Sequence, residues 1–183
     1  IMSKQTEMIG GLSMIRRAVP SDLPDILEIY AIARRFMAQA GNPDQWRDVY
    51  PPEDLVQDDI RQGFCHVCVL DGRIQGVFAA MCWDDPDYQV IQGAWLNDRP
   101  YWAVHRVASR GEVRGVASRC LLWCLERGGS VRIDTHPANR PMQRVLDKNG
   151  FTLCGTVWME DGSPRLAYQR EVPAGWRWDS GEE

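Results

Sequence analysis

The sequence predicts a mixed α/β (α+β) domain, with a mostly antiparallel central sheet flanked by helices, for three reasons. Helix patterns near the start are followed by two β-rich segments joined by Asp71-Gly72, a strong hairpin signal. Strand and helix patterns then alternate, and a second hairpin signal lies at Asp161-Gly162. The 183 residues, 44% of them hydrophobic, are enough to bury a core without disulfides or metal. We expect one domain over residues 14–172, a disordered extension over 1–13 and a tail over 173–183.

The first half of the chain carries the patterns of a strand, two helices and a strand pair. The first strand ends at Pro20, and Ser21 is a candidate cap for the helix that follows. Proline and glycine residues mark the limits of both helices. The predicted elements are a strand over 14–19, a helix between Ser21 and Gly41, a helix between Pro51 and Gly63, and strands over 64–70 and 73–83.

The second half begins with a long loop and continues with alternating strands and helices. The loop over 84–100 carries Tyr88 and Trp95 among turn residues, and we regard it as a candidate functional segment. Glycines follow each of the two helix patterns, as expected at helix ends. The predicted elements are strands over 101–108, 131–135, 151–159 and 165–170, and helices over 115–127 and 139–148.

The overall charge excludes some partners. The 21 Lys+Arg and 25 Asp+Glu give a net charge of -4 and a pI near 5.4, whereas a protein that coats nucleic acid needs a concentrated basic surface. A local basic pocket for a small phosphorylated ligand stays compatible with this balance. No apolar run reaches the roughly 20 residues of a membrane-spanning helix, and no signal-peptide pattern is present. We therefore expect a cytoplasmic protein with neither a nucleic-acid nor a membrane partner.

The cysteines indicate free thiols and no metal site. The chain has six, most of them inside apolar stretches where a thiol behaves as a small hydrophobic group. Cys65 and Cys68 have the spacing of a zinc site. On the strand predicted there, side chains three residues apart point to opposite faces, so the two cannot share one ion.

The most informative segment is 105–118, a strand that runs into a glycine-containing turn and opens a helix. Free backbone N–H groups at such a helix start, together with the helix dipole, favour a bound phosphate. Arg110 and Arg114 add positive charge, and Gly115 and Ala117 allow a diphosphate to approach the backbone. The alternative is that the glycines only form the turn and the arginines are solvated. The segment lacks the Gly-Lys-Ser/Thr ending of a nucleoside-triphosphate loop and the glycine spacing of a dinucleotide site.

These residues resemble the GNAT superfamily of N-acetyltransferases. The family loop has the pattern Gln/Arg-x-x-Gly-x-Gly/Ala, and segment 112–117 matches its Gly and Ala but has Glu112 in the first place. Residues 134–139, then Lys148-Asn-Gly-Phe151, are similar to the family's strand, Asn-led helix and Gly-Phe strand start. Together with the segment that begins at Met14, the resemblance covers residues 14–170.

The resemblance implies that an amine directly attacks acetyl-CoA, the co-substrate, in a ternary complex. The main chain of the strand over 101–108 would pair with pantetheine, and an N–H near Val107 would face the developing oxyanion. Asn139 would bind the pantetheine arm from the other side. The candidate cofactor-binding residues are Val107, Arg110, Arg114, Gly115, Val116, Ala117, Ser118 and Asn139.

The catalytic candidates are His105 and Asp134. Many family members have a general-acid tyrosine where this chain has Leu146, so either another group protonates the thiolate or it leaves unaided. An imidazole can accept an amine proton at neutral pH, which favours His105 as the base. The alternative is a half-buried sheet histidine bonded to Asp134 or to a backbone carbonyl. Asp134 and His136 are reserve candidates, and Asp134 could also orient His105.

The family's acceptor pocket corresponds here to the first two helices and the loop before the cofactor strand. The candidates for acceptor binding are Arg34, Trp46, Trp95 and Tyr101. Aromatic walls suit an amine, and Arg34 could bind a substrate carboxylate, although core tryptophans and solvated arginines are the commoner cases. We expect a small-molecule amine, an amino acid or a short peptide as the acceptor, and a homodimer is compatible. The alternative is a CoA-binding sensor or interaction domain with little turnover.

Overall fold

The computed structural model of the protein describes residues 13–82 and 84–177. Within them, eight strands form one sheet and four α-helices pack against it, which confirms the predicted class. The strands are β1 (Ser13–Arg17), β2 (Cys65–Leu70), β3 (Arg73–Met81), β4 (Gln92–Gly93), β5 (Trp102–Ser109), β6 (Ser130–Thr135), β7 (Thr152–Trp158) and β8 (Pro164–Glu171). The helices are α1 (Leu23–Gln39), α2 (Glu53–Gln62), α3 (Val116–Gly128) and α4 (Arg140–Lys148). The predicted extension over 1–13 lies outside the described residues apart from the last one, as does the tail beyond Arg177.

The strands run in the order β1-β2-β3-β5-β6-β8-β7-β4. All neighbours are antiparallel except β5 and β6, which are parallel and are connected through α3. This parallel pairing covers three residue pairs and ends at Val104 and Ile133. Beyond that point the backbone of residues 105–109 has no strand partner on the β6 side, and the two strands separate.

The two faces of the sheet carry separate cores. One core packs against α3 and includes Leu121, Leu125 and the fully buried Leu146 of α4, with Trp176 packed against its side. The other core packs against α1 and α2. Cys68 belongs to the first core and Cys65 to the second, so these two thiols lie on opposite faces, as predicted. No cluster of potential metal ligands occurs among the described residues.

Two local predictions require correction. Ser21 does not cap α1: a 3-10 turn at Pro20–Asp22 comes first, and the Asp22 carboxylate accepts from the Val19 N–H (2.8 Å) and from Arg16 (2.6 Å). The segment 84–100 is not simply a loop, because it contains a 3-10 turn at Pro86–Tyr88 and the short β4, which pairs with β7. None of the described helices is long and apolar enough to cross a membrane.

Candidate active site

A cleft of about 820 Å³ lies where β5 and β6 separate. Because successive strand residues point to opposite faces, the cleft has two different walls. We call one wall the charged half, formed by Asp85, Asp87, His105, Asp134 and Arg165. We call the other wall the apolar half, formed by Val104, Val107, Ile133 and Met142.

His105 occupies the centre of the charged half. Its Nε2 lies 2.5 Å from Asp85 Oδ2, and its Nδ1 lies 3.8 Å from Asp134 Oδ1. Only the first distance is a hydrogen bond. The alternative partners, Asp134 or a backbone carbonyl, do not form this hydrogen bond, and the partner is Asp85 from the segment before β4.

Two tyrosines hold the carboxylates that flank His105. The Tyr88 hydroxyl donates to Asp134 Oδ1 at 2.8 Å, and the Tyr101 hydroxyl accepts from the Asp85 N–H at 3.0 Å. Asp85 Oδ1 also accepts from the Asp87 N–H at 2.9 Å, which caps the 3-10 turn. Burial raises the pKa of the Tyr88 hydroxyl well above its ordinary value, and the nearby Asp134 charge adds to this, so Tyr88 stays a donor.

The two acids of the 3-10 turn have opposite pKa shifts. Burial alone would raise the pKa of Asp85, but the hydrogen bond and charge of His105 outweigh it and hold that pKa below its usual range. Asp87 is exposed and has no such partner. Partial desolvation and the charges of Asp85 and Asp134 raise its pKa. Asp85 is therefore the carboxylate that stays ionised beside the imidazole.

A β-bulge in β5 shapes the floor of the cleft. Pairing with β3 shifts between Val77 and Ala79, and Arg106 has a positive φ of 56°, uncommon for a residue with a side chain. The buried Arg106 guanidinium donates to Asp59 Oδ2 at 2.7 Å. Burial raises the pKa of Asp59 even though Arg106 opposes the shift.

Two polar side chains lie at the edge of the apolar half, and one of them is unpaired. The Thr135 hydroxyl is buried without a hydrogen-bond partner and lines the cleft beyond Ile133. Asn139 precedes α4, and its Oδ1 accepts from the Met142 N–H at 3.1 Å, while its Nδ2 donates to Gln45 at 2.9 Å. Asn139 therefore lines the cleft, with its side chain already fixed as a helix cap.

The turn before α3 is open. Gly115 has a φ of 81° and precedes the first residue of α3, and a Cβ added there would meet no atom within 4 Å. Arg114 is exposed, whereas the Ser118 hydroxyl accepts from Asn149 at 2.8 Å. Glu112, the departure from the family pattern, is bonded to Arg73 at 2.8 Å. The turn thus has open space beside Gly115, and Glu112 is held by Arg73.

The Arg110 side chain does not join this turn. Its guanidinium is buried and donates to Asp25 (2.5 Å) and Glu28 (2.6 Å) of α1 and to the Ile74 carbonyl (2.7 Å). The geometry therefore gives that guanidinium a structural role in joining α1 to the sheet.

Comparison with known proteins decides the family. A GNAT-family acetyltransferase from Streptococcus agalactiae is 34% identical to this chain, with a TM-score of 0.80, and the match covers 88% of this chain and 96% of that one. The chain belongs to the GNAT family. No family model and no curated protein matches the sequence.

More distant solved structures share the fold. A GNAT-family acetyltransferase from Bacillus cereus is 20% identical, with a TM-score of 0.59, and the match covers 89% of this chain and 99% of that one. An acetyltransferase from Salmonella typhimurium, solved with its cofactor acetyl-CoA, is 17% identical, with a TM-score of 0.57 and coverage of 92% and 98%. The eight-stranded sheet described above is thus that of a GNAT protein.

The predicted acceptor-binding residues of this GNAT protein lie in different places in the structure. Trp46 lines the cleft and packs edge-on against Tyr30, with ring centroids 5.7 Å apart. Arg34 instead donates to the Tyr50 carbonyl at 3.2 Å. Trp95 and Tyr101 do not line the cleft. They enclose the buried Arg132 guanidinium, at 4.3 and 4.0 Å from their ring centroids, beside a second cavity of about 560 Å³.

Sequence reasoning missed Asp85, Asp59 and Arg106. The signal for Asp85 was the Asp85-Pro86 pair, which is typical of a helix start. That signal predicts a cap for the turn and not a contact with a histidine 20 positions away. The bulge at Arg106 has no sequence signal, because arginine is not a residue that favours positive φ.

Proposed function

We propose that this GNAT protein is an acetyl-CoA-dependent N-acetyltransferase that acetylates a primary amine of a small molecule, an amino acid or a short peptide. The observation that carries the proposal is the cleft itself. It lies between the end of β6 and the backbone of residues 105–109, which has no strand partner on the β6 side, and His105 is at its centre. A base beside a strand edge that can still form hydrogen bonds supports acyl transfer to an amine.

The residues at the apolar half and at the start of α3 fit acetyl-CoA. The left-handed Gly115 leaves room for a diphosphate at the N–H groups of Val116, Ala117 and Ser118, and the exposed Arg114 adds charge. The buried, unpartnered Thr135 hydroxyl offers a hydrogen bond to a polar arm between the strands. Val107 and Asn139 would flank that arm. Acetyl-CoA supplies the acetyl group as a thioester.

His105 acts as the general base in this proposal. The amine nitrogen bonds to the thioester carbonyl carbon, its proton passes to the imidazole, and the carbon–sulfur bond breaks. An N–H near Val107 stabilises the oxyanion, a kind of contact whose removal costs about 3 kcal/mol in other acyl-transfer enzymes. Leu146 is fully buried in the core, so it offers no acid to the leaving thiolate. With a thiol pKa of about 8.5, the thiolate leaves unaided.

The charge of the cleft supports an amine acceptor. Eight carboxylates line the cleft against three arginines among the described residues. An excess of negative charge in a narrow cleft attracts a protonated amine and raises its local concentration. The carboxylates are Asp44, Asp58, Asp59, Asp85, Asp87, Asp134, Glu160 and Asp161, and the arginines are Arg47, Arg106 and Arg165.

Release of CoA thiol from acetyl-CoA tests the proposal across a panel of amines, amino acids and short peptides. We expect thiol release that depends on one class of amine, with the acetylated product identified by mass. The alternative is a CoA-binding sensor, which Leu146 favours because the usual acid is missing. Binding of acetyl-CoA without turnover of any amine would support the sensor and contradict the enzyme.

A further inference from the structure

We infer that Asp85 is a positioning residue for the proposed transfer. It fixes the tautomer of His105 so that Nδ1, and not Nε2, receives the proton of the amine. The inference rests on the proposed function, and it assigns to the chain a residue that lies outside the GNAT sequence motifs considered above.

The hydrogen bond between the two residues determines where the imidazole carries its hydrogen. Asp85 Oδ2 lies 2.5 Å from His105 Nε2. An ionised carboxylate only accepts hydrogen bonds, so Nε2 must be the nitrogen that carries the hydrogen in neutral His105. Its Nδ1 is then the basic nitrogen, and this nitrogen is 3.8 Å from Asp134, too far for a hydrogen bond.

The Asp85 carboxylate is held in place by its own surroundings. Asp85 is 6% exposed, its N–H donates to the Tyr101 hydroxyl, and its Oδ1 accepts from the Asp87 N–H. The two oxygens therefore have separate tasks: Oδ1 caps the turn, and Oδ2 binds the imidazole. This division makes Oδ2 a fixed acceptor for His105.

Asp134 has a different role. Its Oδ1 already accepts from the Tyr88 hydroxyl, and its Oδ2 lies 3.9 Å from Arg165 Nε. When the amine proton reaches Nδ1, the resulting imidazolium lies between two carboxylates, which stabilise its charge. The other groups around His105 are the Tyr88 ring at 5.7 Å, Asp87, and the Arg106–Asp59 pair of the floor.

Asp85→Asn separates positioning from structure. The asparagine Oδ1 can keep the cap on the Asp87 N–H, but its NH₂ group donates to Nε2 and forces the hydrogen onto Nδ1. The base is then blocked at the nitrogen that faces the amine. We expect kcat to fall about a hundredfold while acetyl-CoA affinity changes less than about twofold. Asp84→Asn is the matched control, since it removes the same charge one position away, from an exposed residue that does not line the cleft, and we expect kcat to stay within about threefold.

Imidazole ¹⁵N spectroscopy provides a readout that is independent of turnover. At a pH where His105 is neutral, we expect hydrogen on Nε2 in the unmodified protein and in Asp84→Asn, and hydrogen on Nδ1 in Asp85→Asn. Hydrogen on Nδ1 in the unmodified protein, or equal kcat in the two variants, would overturn the inference. Hydrogen on Nε2 without acetylation of any amine would instead contradict the proposed function.

Discussion

The charged half and the apolar half of the cleft are prepared to different degrees. In the charged half, Asp85, His105 and Asp134 already have partners at 2.5 to 2.8 Å. At the apolar half, the Thr135 hydroxyl has no partner, and Arg114 at the nearby turn is exposed. Groups that perform chemistry benefit from a fixed geometry, whereas groups that bind a ligand must be free to pair with it. This contrast supports the proposal that the charged half performs proton transfer and that the apolar half binds the cofactor.

His105→Ala gives the largest expected effect, because it removes the base from the charged half only. We expect kcat to fall about a hundredfold, within the range for general bases, with acetyl-CoA affinity nearly unchanged. Steady-state kinetics and calorimetry on the same preparation measure the two quantities. His66→Gln is the control, since His66 does not line the cleft. Unchanged kcat in His105→Ala would move the role to Asp134 or to water.

Arg106→Met tests whether the floor of the charged half is a structural ion pair. Arg106 and Asp59 have side chains 9% and 8% exposed, so the variant leaves a buried carboxylate without its cation. Such losses cost about 3–5 kcal/mol, and we expect a matching fall in the free energy of unfolding. The double variant Arg106→Met/Asp59→Leu should recover most of the lost free energy of unfolding. The exposed Arg61–Asp58 pair is the control, since Arg61→Ala should cost less than about 1 kcal/mol. A small, additive effect of Arg106→Met would contradict the structural role.

Gly115→Glu perturbs the binding side without touching the charged half. A carboxylate at the start of α3 repels a diphosphate, so we expect acetyl-CoA affinity to fall at least about tenfold. Gly111→Glu is the matched control, because both glycines have a φ near 80° and open space around them, so both variants carry the same backbone strain. Titration calorimetry measures the acetyl-CoA affinity of both variants. Equal losses in the two variants would show that strain, and not the diphosphate site, determines the effect.

The smallest expected effect is on the pH dependence of the melting temperature, and it concerns His66, whose surroundings differ from those of His105. His105 has carboxylate neighbours, while His66 is stacked between Phe78 and Trp123, at 5.3 and 5.1 Å. Burial lowers the pKa of His66 despite its hydrogen bond to the Phe64 carbonyl, so the folded protein binds fewer protons than the unfolded chain. Stability must therefore decrease as the pH falls below about 6.5. We expect the melting temperature of His66→Gln to fall less between about pH 7 and pH 5 than that of the unmodified protein. If the melting temperatures of the two proteins fell equally with pH, burial of a neutral His66 would not be the cause of the pH dependence.

The fold was predictable where local signals determine it. Asp71-Gly72 forms the β2–β3 hairpin, and Gly63 ends α2 in the left-handed conformation. The hydrophobic patterns and the turn residues were sufficient to predict the strands and helices, because strand alternation and helix ends depend on residues that are close in sequence.

The candidate site was only partly predictable, because its decisive contacts join distant segments. The sequence placed His105 within one strand and Asp134 at the end of the neighbouring strand, and both line the cleft. It gave no reason to bring Asp85 to His105, nor Tyr88 to Asp134 across 46 positions. Trp95 was assigned to the acceptor pocket because it lies in the loop before the cofactor strand, but Trp95 lies in the segment that follows the short β4, and its ring packs on Arg132.

Titration calorimetry of the purified protein with acetyl-CoA and with CoA tests most directly whether the cleft binds the cofactor. We expect micromolar binding of both, since the proposed contacts at the start of α3 and at the apolar half involve parts that the two molecules share. No detectable binding of either would contradict the assignment of the cleft and, with it, the proposed transfer.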